Sequence, residues 1–236
     1  MCGRFTLRTP LQLVLKIFGL AMHDSLTWKS RYNIAPTQEV LAIRQSKEGA
    51  REPVKFRWGL IPGWAKDAKL ASSMINARSE TISEKPAFRT PFKRRRCLVA
   101  GDGYYEWQTT GKAKQPYYMH MQDERPFALA ALWESWSGPK EEPLPEPLET
   151  CTLITTSANS ITAPIHDRMP VILPPETWDL WLDPEFEGKE QLLALLKPYE
   201  GNDLVLRPVS TLVNNPRNDK PEAIEPLRPE GESTLF

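Results

Sequence analysis

Cysteine is scarce in this 236-residue chain: Cys2, Cys97 and Cys151 stand at unrelated spacings. Three such residues supply neither a disulfide framework nor a zinc ligand set, so a reducing, cytoplasmic setting is expected. Neither sign of charge is in excess. Lys plus Arg number 30 and Asp plus Glu number 30, which excludes a global field that attracts nucleic acid or membrane and leaves only a local patch for a polyanion. No stretch approaches the ~20 apolar residues that cross a bilayer, and the start lacks a basic segment followed by an apolar run. A Walker loop, a dinucleotide fingerprint, an HExxH pair and a GxSxG elbow are also missing, so neither a nucleotide cofactor nor a catalytic metal is expected.

Proline, by contrast, is abundant, with 23 residues, and implies long ordered loops between short elements. β-Branched, aromatic or alternating runs at 38–44, 54–58, 97–100, 117–121, 127–133, 151–156, 171–173 and 204–209 predict many short strands. Their Pro- and Gly-rich separators point to an α+β fold that is mainly antiparallel and β-rich. Helices are expected after Thr9-Pro10, whose hydroxyl and proline suit a helix start, with Gly19 as the stop, and at 77–83, 176–182 and 189–196. The length favours one domain, 1–225. A Pro/Glu-rich surface insertion at about 138–149 and a charged, disorder-prone tail at 226–236 complete it.

The start of the chain carries the least ordinary chemistry. Removal of Met1 would leave Cys2 with a free α-amine and a thiol on one residue. Reference pKa values near ~8 and ~8.5 make both nucleophiles available at neutral pH. The amine converts an aldehyde to an imine, and the thiolate can close on that carbon to a five-membered thiazolidine. Carbonyl capture and acyl transfer by an N-terminal nucleophile are both open on this ground.

Four further clusters bear on chemistry. Asn76 and Arg78 lie two apart in Ile75-Asn76-Ala77-Arg78, where the amide is either a helix cap or a site group. Glu106 sits between aromatic rings in Tyr104-Tyr105-Glu106-Trp107, a setting that raises a carboxyl pKa towards proton transfer, unless it is an exposed strand residue. His166 stands beside Asp167 and Arg168 as a candidate proton-transfer group. Trp58 and Trp64 bracket a Gly/Pro loop and are either core residues or platforms for a nucleobase. The densest positive run, Lys93 to Arg96, reads as a solvated turn or a phosphate track.

Taken in order, Met1 to Phe5, Arg31 to Thr37, Trp58 to Trp64, Ile75 to Glu80, Asp102 to Trp107, His166 to Pro170 and Val209 to Asn214 resemble the SRAP family, whose members crosslink themselves to abasic DNA. The resemblance implies a curved, barrel-like β core with the site at the processed N-terminus. It implies Cys2 as nucleophile, Asn76 as its positioner, and Glu106 and His166 as proton-transfer groups. Arg4, Asn33, Pro36, Trp58, Trp64 and Arg78 would contact single-stranded DNA or a single-to-double-strand junction, with the protein acting as a monomer. An N-terminal-nucleophile amidohydrolase or peptidase and a noncatalytic reader of modified bases are the alternatives.

Overall fold

The computed structural model describes residues 2–21, 26–111 and 113–227. In chain order the strands are β1 (Phe5–Leu7), β2 (Arg31–Ile34), β3 (Glu39–Gln45), β4 (Arg51–Trp58), β5 (Asn76–Arg78), β6 (Arg96–Gly101) and β7 (Gly103–Thr110). They continue with β8 (Ala113–Met121), β9 (Phe127–Trp136), β10 (Leu148–Ser157), β11 (Arg168–Pro170), β12 (Ile172–Leu173) and β13 (Leu204–Pro208). The α-helices are short: α1 (Leu11–Ile17), α2 (Arg89–Arg94), α3 (Trp178–Leu182) and α4 (Lys189–Ala194).

Five strands close on themselves. β10 pairs with β4, β4 with β3, β3 with β6, β6 with β9, and β9 returns to β10. The ring is antiparallel except between β4 and β10, where Arg57 faces Thr150 in parallel register. A five-stranded barrel has little internal room, and Ala42, Ala100, Ala128, Ala130 and Ala131 are among the buried residues of its strands. A second, antiparallel sheet runs β13-β8-β7-β1-β2. The fold is thus α+β and β-rich, as the strand pattern predicts, with the barrel core that the resemblance implies.

The chain passes from barrel to second sheet at Asp102, which is fully buried between β6 and β7. Its carboxylate accepts from Thr6 Oγ1 (2.6 Å), Arg8 N (2.7 Å), Thr9 N (2.8 Å) and Thr9 Oγ1 (2.8 Å). Four donors satisfy a charge that would otherwise be costly to bury. They also fasten the N-terminal strand. The hydroxyl of Thr9 is therefore spent on Asp102, and α1 begins after Pro10 with no side-chain cap; Gly19 closes the helix end at φ 67°.

Two other expectations are corrected. Residues 77–83 do not form a helix: β5 lies parallel to β10, Asn76 opposite Leu153, and only a 3₁₀ turn at Ser79–Thr81 follows. The basic run is structural rather than a phosphate track. Arg94 pairs with Glu185 and Glu187, and Arg95 with Glu134 at 2.6 Å. Arg96 is buried and donates to the carbonyls of Phe92, Lys93, Trp181, Asp183 and Phe186.

The β9–β10 connection is largely exposed, as the Pro/Glu composition suggests. Most of the charged tail, 228–236, lies outside the described residues; its first two residues are held, by a bridge from Pro226 to Val209 and a bond from Leu227 N to Pro208 O. Among the described residues no helix is long and apolar enough to cross a membrane.

Candidate active site

β1 is pinned between β2 and β7, and this brings Cys2 to the start of the site. Tyr105 N donates to Arg4 O at 3.0 Å, which extends the β1–β7 pairing and sets Glu106 one residue beyond. Cys2 is fully buried, its Sγ 3.8 Å from Arg4 O. Burial, reinforced by the Glu106 charge, pushes its thiol pKa far up. Asn76 Nδ2, at the head of β5, donates to Cys2 O at 2.8 Å. The amide holds the backbone of Cys2 and caps no helix.

Glu106 is only 3% exposed. Burial raises its carboxyl to about 7, while the positive chain terminus acts in the opposite direction. That value divides the carboxyl between acid and base near neutral pH. His166 is set by a turn, its N–H donating to Thr162 O at 3.1 Å. Its Nδ1 accepts from Arg168 N at 3.0 Å and lies 2.8 Å from Asp167 Oδ1. Burial lowers the imidazole pKa, ahead of the neighbouring charges. Arg168 locks this segment through Glu80 and Thr155 O.

Glu106 and His166 line one open cavity of about 460 Å³, together with Trp107, Thr109, Lys114 and Asn214. The structure thus gathers Cys2, Asn76, Glu106 and His166 from four separate segments. A buried thiol, a carboxyl near 7 and an imidazole form a constellation suited to carbonyl addition with proton transfer.

The six residues expected at DNA divide. Trp64 is 63% exposed, and Arg78 is exposed with no ion pair among the described residues; Pro36 is half-buried. The loop that presents Trp64 turns at Gly59, where φ is 124° and a Cβ would meet Ala71 O at 2.7 Å, so only glycine fits. Trp58 and Asn33 do not reach solvent, which corrects the expectation that they contact DNA. Trp58 packs edge-on to Phe5 and donates from Nε1 to Ile75 O at 2.8 Å. Asn33 Nδ2 lies 3.1 Å from each of the carbonyls of Val213, Asn215 and Asn218. Arg4 is also engaged, donating to Asn33 Oδ1 (2.9 Å), Val213 O (2.6 Å) and Asn214 O (3.2 Å). Trp107, Thr109, Lys114 and Asn214 escaped sequence reasoning because strand pairing and a distant C-terminal loop assemble them.

The family model described as SOS response associated peptidase (SRAP) matches residues 1–216. Abasic site processing protein YoqW of Bacillus subtilis is 43% identical over 227 residues, 95% of this chain and 99% of its own. Abasic site processing protein YedK of Escherichia coli is 31% identical over 232 residues, covering 96% of this chain and all of its own length. A solved structure of a Bacteroides thetaiotaomicron protein superposes with a TM-score of 0.85 at 28% identity, over 96% of this chain and 100% of its own. With the family model spanning nearly all of the chain and relatives aligned end to end, this protein belongs to the SRAP family.

Proposed function

We propose that this protein processes abasic sites by capturing their ring-opened aldehyde on Cys2. The observation that carries the reading is the convergence on Cys2 of Asn76 and Glu106, with His166 sharing the Glu106 cavity. The relatives named above, both called abasic site processing proteins, support it.

The chemistry requires loss of Met1. The freed α-amine of Cys2 then adds to C1′ of the abasic sugar, and loss of water gives an imine. His166, as the imidazolium, donates a proton to the departing oxygen and is left neutral, and Glu106 removes protons from the incoming amine and thiol. The sulfur pair next attacks the imine carbon, the C–N π pair returns to nitrogen, and the thiol proton ends there. One aldehyde and one aminothiol thus give a thiazolidine and one water, with no oxidant or cofactor. Ring closure is intramolecular and benefits from the corresponding effective concentration. Asn76 keeps Cys2 in register.

Arg78 binds phosphate, and Trp64 with Pro36 takes the stacking position beside the lesion, which suits a single strand or a junction. The protein acts as a cytoplasmic monomer in this reading. The test is incubation of the mature protein with abasic single-stranded DNA, with a peptide and with glutamine. The account expects a denaturation-resistant shifted band with the DNA alone. Turnover of peptide or glutamine without that band would favour an N-terminal-nucleophile hydrolase.

A further inference from the structure

Arg4 stands at the head of the N-terminal strand, yet its guanidinium is committed to Asn33 Oδ1 and to the carbonyls of Val213 and Asn214. A strand laid across the site would gain from a further cation besides Arg78. The cavity supplies one. Among the residues that line the space, Lys114 is the lysine that stands beside Glu106 and His166. Lys114 is exposed and makes no ion pair among the described residues.

Two neutral donors flank it. Thr109 faces Lys114 directly in the β7–β8 register, and its hydroxyl has no hydrogen bond among the described residues. Asn214 arrives from the C-terminal loop. Its Oδ1 accepts from Trp107 Nε1 at 2.7 Å, which fixes the amide orientation and leaves the Nδ2 hydrogens for a ligand. An ammonium with two neutral donors, none of them an acceptor-only group, suits a phosphate oxygen. The carboxyl of Glu106 belongs to the same cavity and would repel an anion placed against it, which favours an anion at the rim and an uncharged sugar further in. The volume, about 460 Å³, exceeds what one five-carbon sugar fills.

We propose that Lys114, Thr109 and the Asn214 amide form a phosphate subsite at the cavity mouth, which takes the phosphodiester flanking the captured sugar. The proposal rests on the abasic-site reading, and it assigns to Lys114 a binding role rather than a part in the covalent step.

The test is equilibrium binding of the mature protein to a single strand carrying a tetrahydrofuran abasic analogue, which lacks the aldehyde and cannot crosslink, over a range of salt. Lys114→Gln should weaken binding several-fold at low salt and make the log–log salt slope shallower by about 0.7, the value for one phosphate on a single strand. Lys114→Arg should keep most of both. On the aldehyde-bearing strand at concentrations below saturation, Lys114→Gln should crosslink several-fold more slowly than wild type. A wild-type slope in Lys114→Gln, or equal losses in Lys114→Arg and Lys114→Gln, would overturn the subsite. If wild type binds the analogue with the predicted slope change but never crosslinks to the aldehyde, the capture chemistry fails and the subsite stands. Failure of wild type to bind the strand at all would remove both.

Discussion

Glu106 is the residue whose environment says most about its task. A carboxyl raised to about 7 by burial holds a proton in the folded chain that the unfolded chain has already released, between the ordinary value of 4.5 and about 7. The unfolded state then binds fewer protons, so this group's contribution to stability falls as pH rises through that window. The cost reaches about 3 kcal/mol above pH 7 as an upper figure. Glu106→Gln removes the ionisation. Thermal unfolding should therefore show the variant gaining on wild type at pH 8 and losing that advantage near pH 4. Its single-turnover crosslinking should be slower by ~10²–10⁴-fold, the usual range for a lost general acid or base, and a wild-type rate would make Glu106 structural. The sequence revealed this residue because flanking rings forecast an apolar setting. It misplaced Trp58 and Asn33 because burial depends on partners far along the chain, Ile75 for the indole and Val213, Asn215 and Asn218 for the amide.

At the scale of elements, anchoring of short pieces matters more than their intrinsic propensity. β1 has three residues and persists because β2, β7 and the four bonds to Asp102 hold it. Asp102→Ala takes the acceptor from Arg8 N, Thr9 N and Thr9 Oγ1 and should cost about 2–4 kcal/mol in denaturant unfolding; a loss below about 1 kcal/mol would mean that another group fixes Cys2. The basic run offers a sharper contrast. Arg96→Ala removes a buried guanidinium shared by five carbonyls and should destabilise by about 3 kcal/mol or more, whereas exposed Lys93→Ala should stay within about 0.5 kcal/mol. Equal effects would refute the structural role assigned to Arg96. Strands with long apolar or β-branched runs, such as β3, β9 and β10, were legible in the sequence. β1, β2 and β5 were not, since they carry too few residues for a period and exist through pairing. The helix expected at 77–83 failed for the same reason: pairing with β10 outcompeted local preference.

For the whole molecule, a closed barrel carries a second sheet whose N-terminal strand ends at the site, and exposed Trp64 and Arg78 are the features that suit a bound strand. With no net charge, binding relies on local cations and should weaken as salt rises. A lesion inside a duplex must be unstacked at a cost of a few kcal/mol, whereas a single strand leaves the stacking position to Trp64. Abasic single strands and junctions should crosslink faster than the same lesion centred in a duplex, and Trp64→Ala should narrow the gap. Equal rates would refute that groove while leaving the Cys2 chemistry in place. The central claim is that both nucleophiles of Cys2 capture the aldehyde. Intact mass spectrometry of the mature protein after incubation with an abasic oligonucleotide, without reductant and after heating, tests it most directly. Wild type should appear as protein lacking Met1 plus DNA less one water, and Cys2→Ala should yield a stable adduct only when borohydride reduces its imine, at protein plus DNA less one water plus two hydrogens. A heat-stable, reductant-free adduct on Cys2→Ala, or on protein that retains Met1, would contradict the account.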